Sequence, residues 1–108
     1  MPSLSEVHQF SQIFFMKYFV YILQCADGTF YTGVTKDLQK RIIRHNRGHG
    51  ARYTRGRLPV TLVYYEESDN LKSAMSREIR LRNLPRTKKQ IIVNRFKVTR
   101  KEPAQSKK

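Results

Sequence analysis

The sequence predicts one small α+β domain, a mainly antiparallel three-stranded sheet flanked by about three helices. Three observations lead there. Two β-type runs, residues 19–25 and 30–35, are joined by turn residues; a third such run follows at 60–66; and the stretches around them carry apolar residues at helical spacing. A chain of 108 residues is enough for one modest core and too short for two.

Taken in order, FVYILQC is apolar, aromatic and β-branched, as a buried strand requires. Ala26-Asp27-Gly28-Thr29 supplies a turn, and FYTGVT resumes the β-type composition, so the two runs read as a hairpin. A helix should start near Asp37, where an acid suits the first turn, with Leu38 and Ile42 on its inner face. Arg41 and His45 are also four apart, so a cation and a titratable imidazole stand one above the other on a neighbouring side. Residues 47–58, rich in glycine and arginine, read as a loop. In it Arg52, Arg55 and Arg57 surround Tyr53, a mix suited to phosphate contact and base stacking; a merely solvated basic loop is the equal alternative.

Pro59 leads into the third strand, where either Tyr64 or Tyr65 should face the core. Glu66, Glu67 and Asp69 read as surface and cap residues before the next helix. That helix is expected over 70–83, stopped by Pro85. Its projection gathers Leu71, Ala74, Met75, Ile79 and Leu81 into one apolar arc with Glu78 in the middle. Glu78 is the only carboxylate between Asp69 and Glu102. An inward carboxylate costs several kcal/mol unless something compensates it, on the order quoted for buried ions, so a metal ion is the favoured partner. The alternative is an ordinary pair with Arg82, which predicts an outward glutamate. A third helix follows over 86–95, with Lys88 and Lys89 early in it and placed to face phosphates.

The ends differ in composition from the middle. Residues 1–15 lack the basic start and cleavage site of a secretory signal and read as a flexible extension, with Met16 standing just before the first strand as an alternative start. The apolar run from 13 to 23 is broken by Lys17 and is too short to span a bilayer, so no membrane association is expected. Residues 96–108 read as a disordered basic tail that adds affinity for polyanions by counterion release. Over the whole chain 22 Lys and Arg against 8 Asp and Glu leave a net charge of +14, the footprint of a nucleic-acid partner. Cys25 is the lone cysteine, which excludes an internal disulfide and suits a reducing, cytoplasmic setting.

Tyr21 in Val20-Tyr21-Ile22, then Tyr31-Thr32-Gly33 ten residues on, then Lys36, Arg41, His45 and Glu78, together resemble the core of the GIY-YIG nuclease family, and most of all its small stand-alone bacterial members. Phe19-Val20-Tyr21 stands where glycine-isoleucine-tyrosine would be, and the resemblance covers 17–94 of the chain, leaving 16–95 as the domain. It implies a metal-dependent endonuclease with weak sequence preference, acting on nucleic acid, expected to be DNA, without a small-molecule cofactor. On this resemblance Tyr21, Tyr31, Arg41 and His45 are catalytic, Glu78 holds a divalent ion, Mg²⁺ or alternatively Mn²⁺, and Lys36, Arg44, Arg52, Arg55, Arg57, Lys88 and Lys89 contact the nucleic acid. One of the tyrosines would be the base, which one being open, because nearby cations favour a phenolate whose unperturbed pKa is ~10. Many members carry an asparagine a dozen residues after the glutamate; here Gln90 has that spacing and Asn94 lies beyond. The competing expectation is a binding module that keeps the fold without the activity.

Overall fold

The computed structural model describes residues 17–105, with side chains as far as residue 97; the extension at 1–15 lies outside the described residues. Three strands, β1 (Tyr18–Gln24), β2 (Phe30–Thr35) and β3 (Thr61–Ser68), form one antiparallel sheet in the order β2-β1-β3. The helices are α1 (Leu38–Asn46), the single turn α2 (Arg52–Arg55), α3 (Leu71–Arg82) and α4 (Arg86–Gln105). The expected α+β class and hairpin are both present.

The most apolar run takes the central position. Val20, Tyr21, Ile22 and Leu23 of β1 are all buried, because a strand paired on both edges and covered on both faces has no solvent side. One face packs Tyr21 and Leu23 with Leu38 and Ile42 of α1, and with Cys25, Leu58 and Val60. The other packs Val20 with Ala74 and Leu81 of α3 and Ile92 of α4. The hairpin closes through Gly28, whose φ of +86° a side chain would disfavour, and through Asp27, which accepts from the Thr29 amide and hydroxyl. Asp37 caps α1 by accepting from the Lys40 amide, and Asn46 at its far end grips both the N–H and the C=O of Val60, directing the chain into β3.

Several expectations need correction. The stretch 47–58 is not all loop: Ala51 to Arg55 closes the turn α2, sealed by Thr54, whose hydroxyl donates to the Ala51 carbonyl at 3.0 Å. β3 extends to Ser68 because Glu66 and Glu67 pair in register with Val20 and Phe19, each carboxylate being met by a cation, Arg77 and Lys17. The helix cap is Asn70, accepting from the Ser73 amide, rather than an acid. Tyr64 and Tyr65, being consecutive in the strand, point to different faces, and because both faces of the sheet are covered each is partly buried, instead of one in the core and one outside. Both meet Phe96, at ring-centroid distances of 5.2 and 5.3 Å. That contact carries α4 past the expected end at 95; the backbone is helical to Gln105, where a disordered tail was expected from 96.

Candidate active site

Tyr21 and Gly33 face each other across the β1–β2 pair, and the tyrosine ring lies directly over the glycine. A Cβ on Gly33 would stand 2.5 Å from the phenol oxygen, so the missing side chain is what admits the ring. Five residues complete the setting. The Tyr21 hydroxyl is 3.0 Å from Nε2 of His45 and accepts from Nε of Arg41 at 3.4 Å. Nδ1 of His45 is 2.8 Å from the Thr54 hydroxyl. Gly50 packs so tightly on the imidazole that any side chain there would collide with it. Tyr31 then closes over His45, ring centroids 5.3 Å apart.

Burial governs the electrostatics. Tyr21 and His45 are 1% and 0% exposed. Burial raises the Tyr21 pKa, opposed by the Arg41 hydrogen bond and charge. For Tyr31 burial again raises it, Arg41 pulls it down and Glu78 pushes it up. The His45 pKa falls to about 4 through burial and the repulsion of Arg41 and Arg44, so the ring is neutral at pH 7.

Beside this cluster runs a groove of about 580 Å³ lined by β2 residues, including Tyr31 and Gly33, by Tyr53, and by Leu71, Met75, Glu78 and Arg82 of α3, with Lys89 of α4. The apolar arc expected on α3 is therefore split. Ala74 and Leu81 enter the core, whereas Leu71, Met75 and Ile79 are 45–52% exposed. Glu78 belongs to the groove rather than the core, its side chain 15% exposed, with Arg82 Nε 3.4 Å from Oε2. Glu78 is thus shielded as expected, but by the groove and not by the core, and it is paired with Arg82 at the same time.

The structure thus brings Tyr21, Tyr31, Arg41, His45 and Glu78 into one neighbourhood, the charges of Arg41 and Glu78 reaching both phenols. It adds Thr54 and Gly50, which sequence reasoning missed, and brings Arg82, expected only as an ion-pair partner, to the groove; only the glycine-rich composition of the loop hinted at close packing around His45. Of the expected nucleic-acid contacts, Lys89 lines the groove and Lys88, Arg44, Arg52 and Arg55 are exposed on the surface. Arg57 is already engaged, bound to Asp27 at 3.1 Å and to the Tyr53 carbonyl, with its guanidinium 4.0 Å from the Tyr53 ring centroid. The Tyr53 ring is in turn stacked on Tyr31 at 6.2 Å. Lys36 stands away from the groove, over the Tyr18 ring. Gln90 and Asn94 bond to each other and line a separate pocket with Gln24 and Thr61, so neither of these two amides lines the groove.

A family model described as the GIY-YIG catalytic domain matches residues 17–90, the whole sheet and every residue of this cluster. The chain belongs to the GIY-YIG family. Among relatives of this GIY-YIG domain, a UPF0213 protein of Halobacterium salinarum is 51% identical over 68% of the chain and 95% of its own length. Another from Staphylococcus saprophyticus is 49% identical over 68% and 89%. An NMR structure of an E. faecalis protein shares 32% identity over 76% of this chain and 88% of that one, with a TM-score of 0.52. A UPF0213 protein from Bacillus halodurans, also solved by NMR, is 44% identical over 73% and 84%, with a TM-score of 0.48. Among the described residues of the GIY-YIG domain, no helix is long and apolar enough to cross a membrane.

Proposed function

We propose that this GIY-YIG domain is a metal-dependent endonuclease that hydrolyses phosphodiester bonds in DNA with weak sequence preference. What carries the reading is that Tyr31 and Glu78, from β2 and α3, line one groove, with Arg41 charged within electrostatic reach of Tyr31. The net charge of +14 supports a polyanionic substrate.

No group of three or more His, Cys, Asp or Glu side chains gathers among the described residues, so a closed protein cage of the zinc kind is not offered. A single shielded carboxylate fits a hard ion that keeps most of its waters, as Mg²⁺ does, with Mn²⁺ the alternative. Glu78 would hold it, and the ion's contribution when bound is charge neutralisation at the phosphate and at the leaving oxygen. The remaining chemistry falls to side chains. Tyr31 is the phenol exposed to the groove and the better placed to take the proton of the attacking water; Tyr21 is sealed, its hydroxyl engaged by His45 and Arg41. Burial works against a Tyr31 phenolate and Arg41 for it. The planar, always charged Arg41 suits a non-bridging phosphate oxygen, where charge grows in the transition state. Arg82 and Lys89 at the groove bind the backbone on either side.

The test is incubation of the purified protein with labelled single-stranded, duplex and branched DNA, with Mg²⁺ or with chelator, beside Glu78→Ala. Strand breaks that need the metal and vanish in the variant, with DNA binding retained, are expected. Salt-sensitive binding with no metal-dependent breaks on any substrate would refute the activity and leave a binding module of this fold.

A further inference from the structure

We propose that Thr54 is a positioning residue that sets the tautomer of His45, so that Nε2 accepts the Tyr21 proton and the phenol oxygen is free to orient Arg41. The inference deepens the nuclease reading of the same site and, for its effect on cleavage, rests on it.

Two ends of one hydrogen-bond chain require the same answer. At the first end, the Thr54 hydroxyl has a single proton, and it goes to the Ala51 carbonyl at 3.0 Å within the turn α2. Toward Nδ1 of His45, at 2.8 Å, Thr54 Oγ1 is then an acceptor, which places the imidazole proton on Nδ1. The Ala51 amide, 3.4 Å from Nδ1, would want a lone pair there, but it competes for that one nitrogen with the Thr54 oxygen at 2.8 Å and yields to the shorter contact. At the second end, Tyr21 is 1% exposed and must donate its own proton to something. Arg41 Nε reaches the phenol as a donor, leaving Nε2 of His45, 3.0 Å away, as the acceptor. Were the proton on Nε2 instead, the phenol oxygen would face two N–H donors and its own hydrogen would be stranded.

The chain therefore runs from Arg41 through Tyr21, His45 and Thr54 to the Ala51 backbone, with a consistent direction at each link. Thr54 is 0% exposed and Gly50 closes the ring from the side, so no water replaces the hydroxyl if it is removed. Thr54→Val keeps the shape of the side chain and deletes the acceptor. Its Nδ1–H then has no partner, the proton shifts toward Nε2, and the Tyr21 hydroxyl and Arg41 lose their register.

The tautomer is read directly from the ¹⁵N shifts and long-range couplings of the imidazole at neutral pH, in a protein with only three histidines. The expected result is Nδ1–H at His45 in the parent and in Thr54→Ser, and Nε2–H or a mixture in Thr54→Val. In the cleavage assay Thr54→Val should lower kcat by roughly ten- to a hundredfold, the range seen for losing a supporting hydrogen bond behind an active group, with KM little changed; Thr54→Ser should recover most of it. An Nε2–H tautomer in the parent overturns the proposal whatever the enzyme does, as does Thr54→Val that keeps both the Nδ1–H tautomer and the parental rate. Absence of cleavage in the parent would instead overturn the nuclease reading and leave the tautomer assignment to the NMR alone.

Discussion

Lowering the pH should destabilise the domain through one buried imidazole. His45 is fully buried and its pKa is pushed from 6.5 to about 4, chiefly by burial and then by Arg41 and Arg44. A base with a depressed folded pKa is protonated more readily in the unfolded chain. Its contribution to stability is therefore complete above pH 6.5 and is lost as the pH falls through the window down to about 4. At ~1.36 kcal/mol per pH unit that window sets a ceiling on the order of 3 kcal/mol, a large fraction of the stability of a small domain. Asp27 also has a depressed pKa, from its hydrogen bonds to Thr29, but it acts below 3.8, outside this window. Urea unfolding followed by circular dichroism at steps from neutral pH to pH 4, beside an NMR titration of the imidazole, measures both sides. The midpoint should fall across the window, and His45→Gln, which cannot titrate, should flatten that fall. A His45 that titrates at 6.5 or above, or an unfolding midpoint that stays level across the window, would refute the reasoning.

Gly33→Ala should be far more damaging than its size suggests, because the new Cβ would stand 2.5 Å from the Tyr21 oxygen and 2.6 Å from Cζ; overpacking of this kind costs about 1–3 kcal/mol, and loss of the Tyr21–His45 contact by NMR would accompany it. Phe96→Ala removes the ring that meets Tyr64 and Tyr65 and should cost about 1–3 kcal/mol in chemical denaturation, less than a fully buried phenylalanine; a change within error would show that α4 is not anchored there. Lys89→Ala, at the groove, should weaken DNA binding and reduce the slope of log K against log salt by about one, while Lys36→Ala, away from it, should leave the slope unchanged.

The scaffold was legible because its signals are local. A hydrophobic run bounded by a Gly-containing turn specifies the hairpin, and Asp37 marks its helix start by a side-chain chemistry that does not depend on distant residues. The site was legible as a set of spacings: the four-residue step from Arg41 to His45 survives translation into three dimensions because both lie on one helix. What escaped were the contacts between segments that no motif announces. Thr54 looks like any polar residue in a basic loop until the fold presses it against His45. Arg57 looks like a phosphate contact until Asp27, thirty positions away, claims it. Phe96 has no helical pattern beyond it to announce that α4 continues, and its ring contacts with Tyr64 and Tyr65 of β3 appear only in the fold.

Glu78 shows how an incomplete picture of a helix can still find a shielded carboxylate. The projection placed the carboxylate inward because it treated the apolar arc as one surface, whereas the sheet edge divides that arc into a core side and a groove side. The carboxylate is shielded all the same, and the compensation demanded by shielding is met partly by Arg82. Arg82 is 57% exposed, so the pair is a helix surface pair of the kind worth about 0.3–0.5 kcal/mol. Such a partner holds Glu78 in place in the free protein without committing it. On the proposed reading the arginine can turn toward a substrate phosphate at little cost, leaving the carboxylate to a divalent ion. A tightly buried pair could not make that exchange, so the proposed metal role of Glu78 is compatible with its pairing to Arg82 only because that pair is weak.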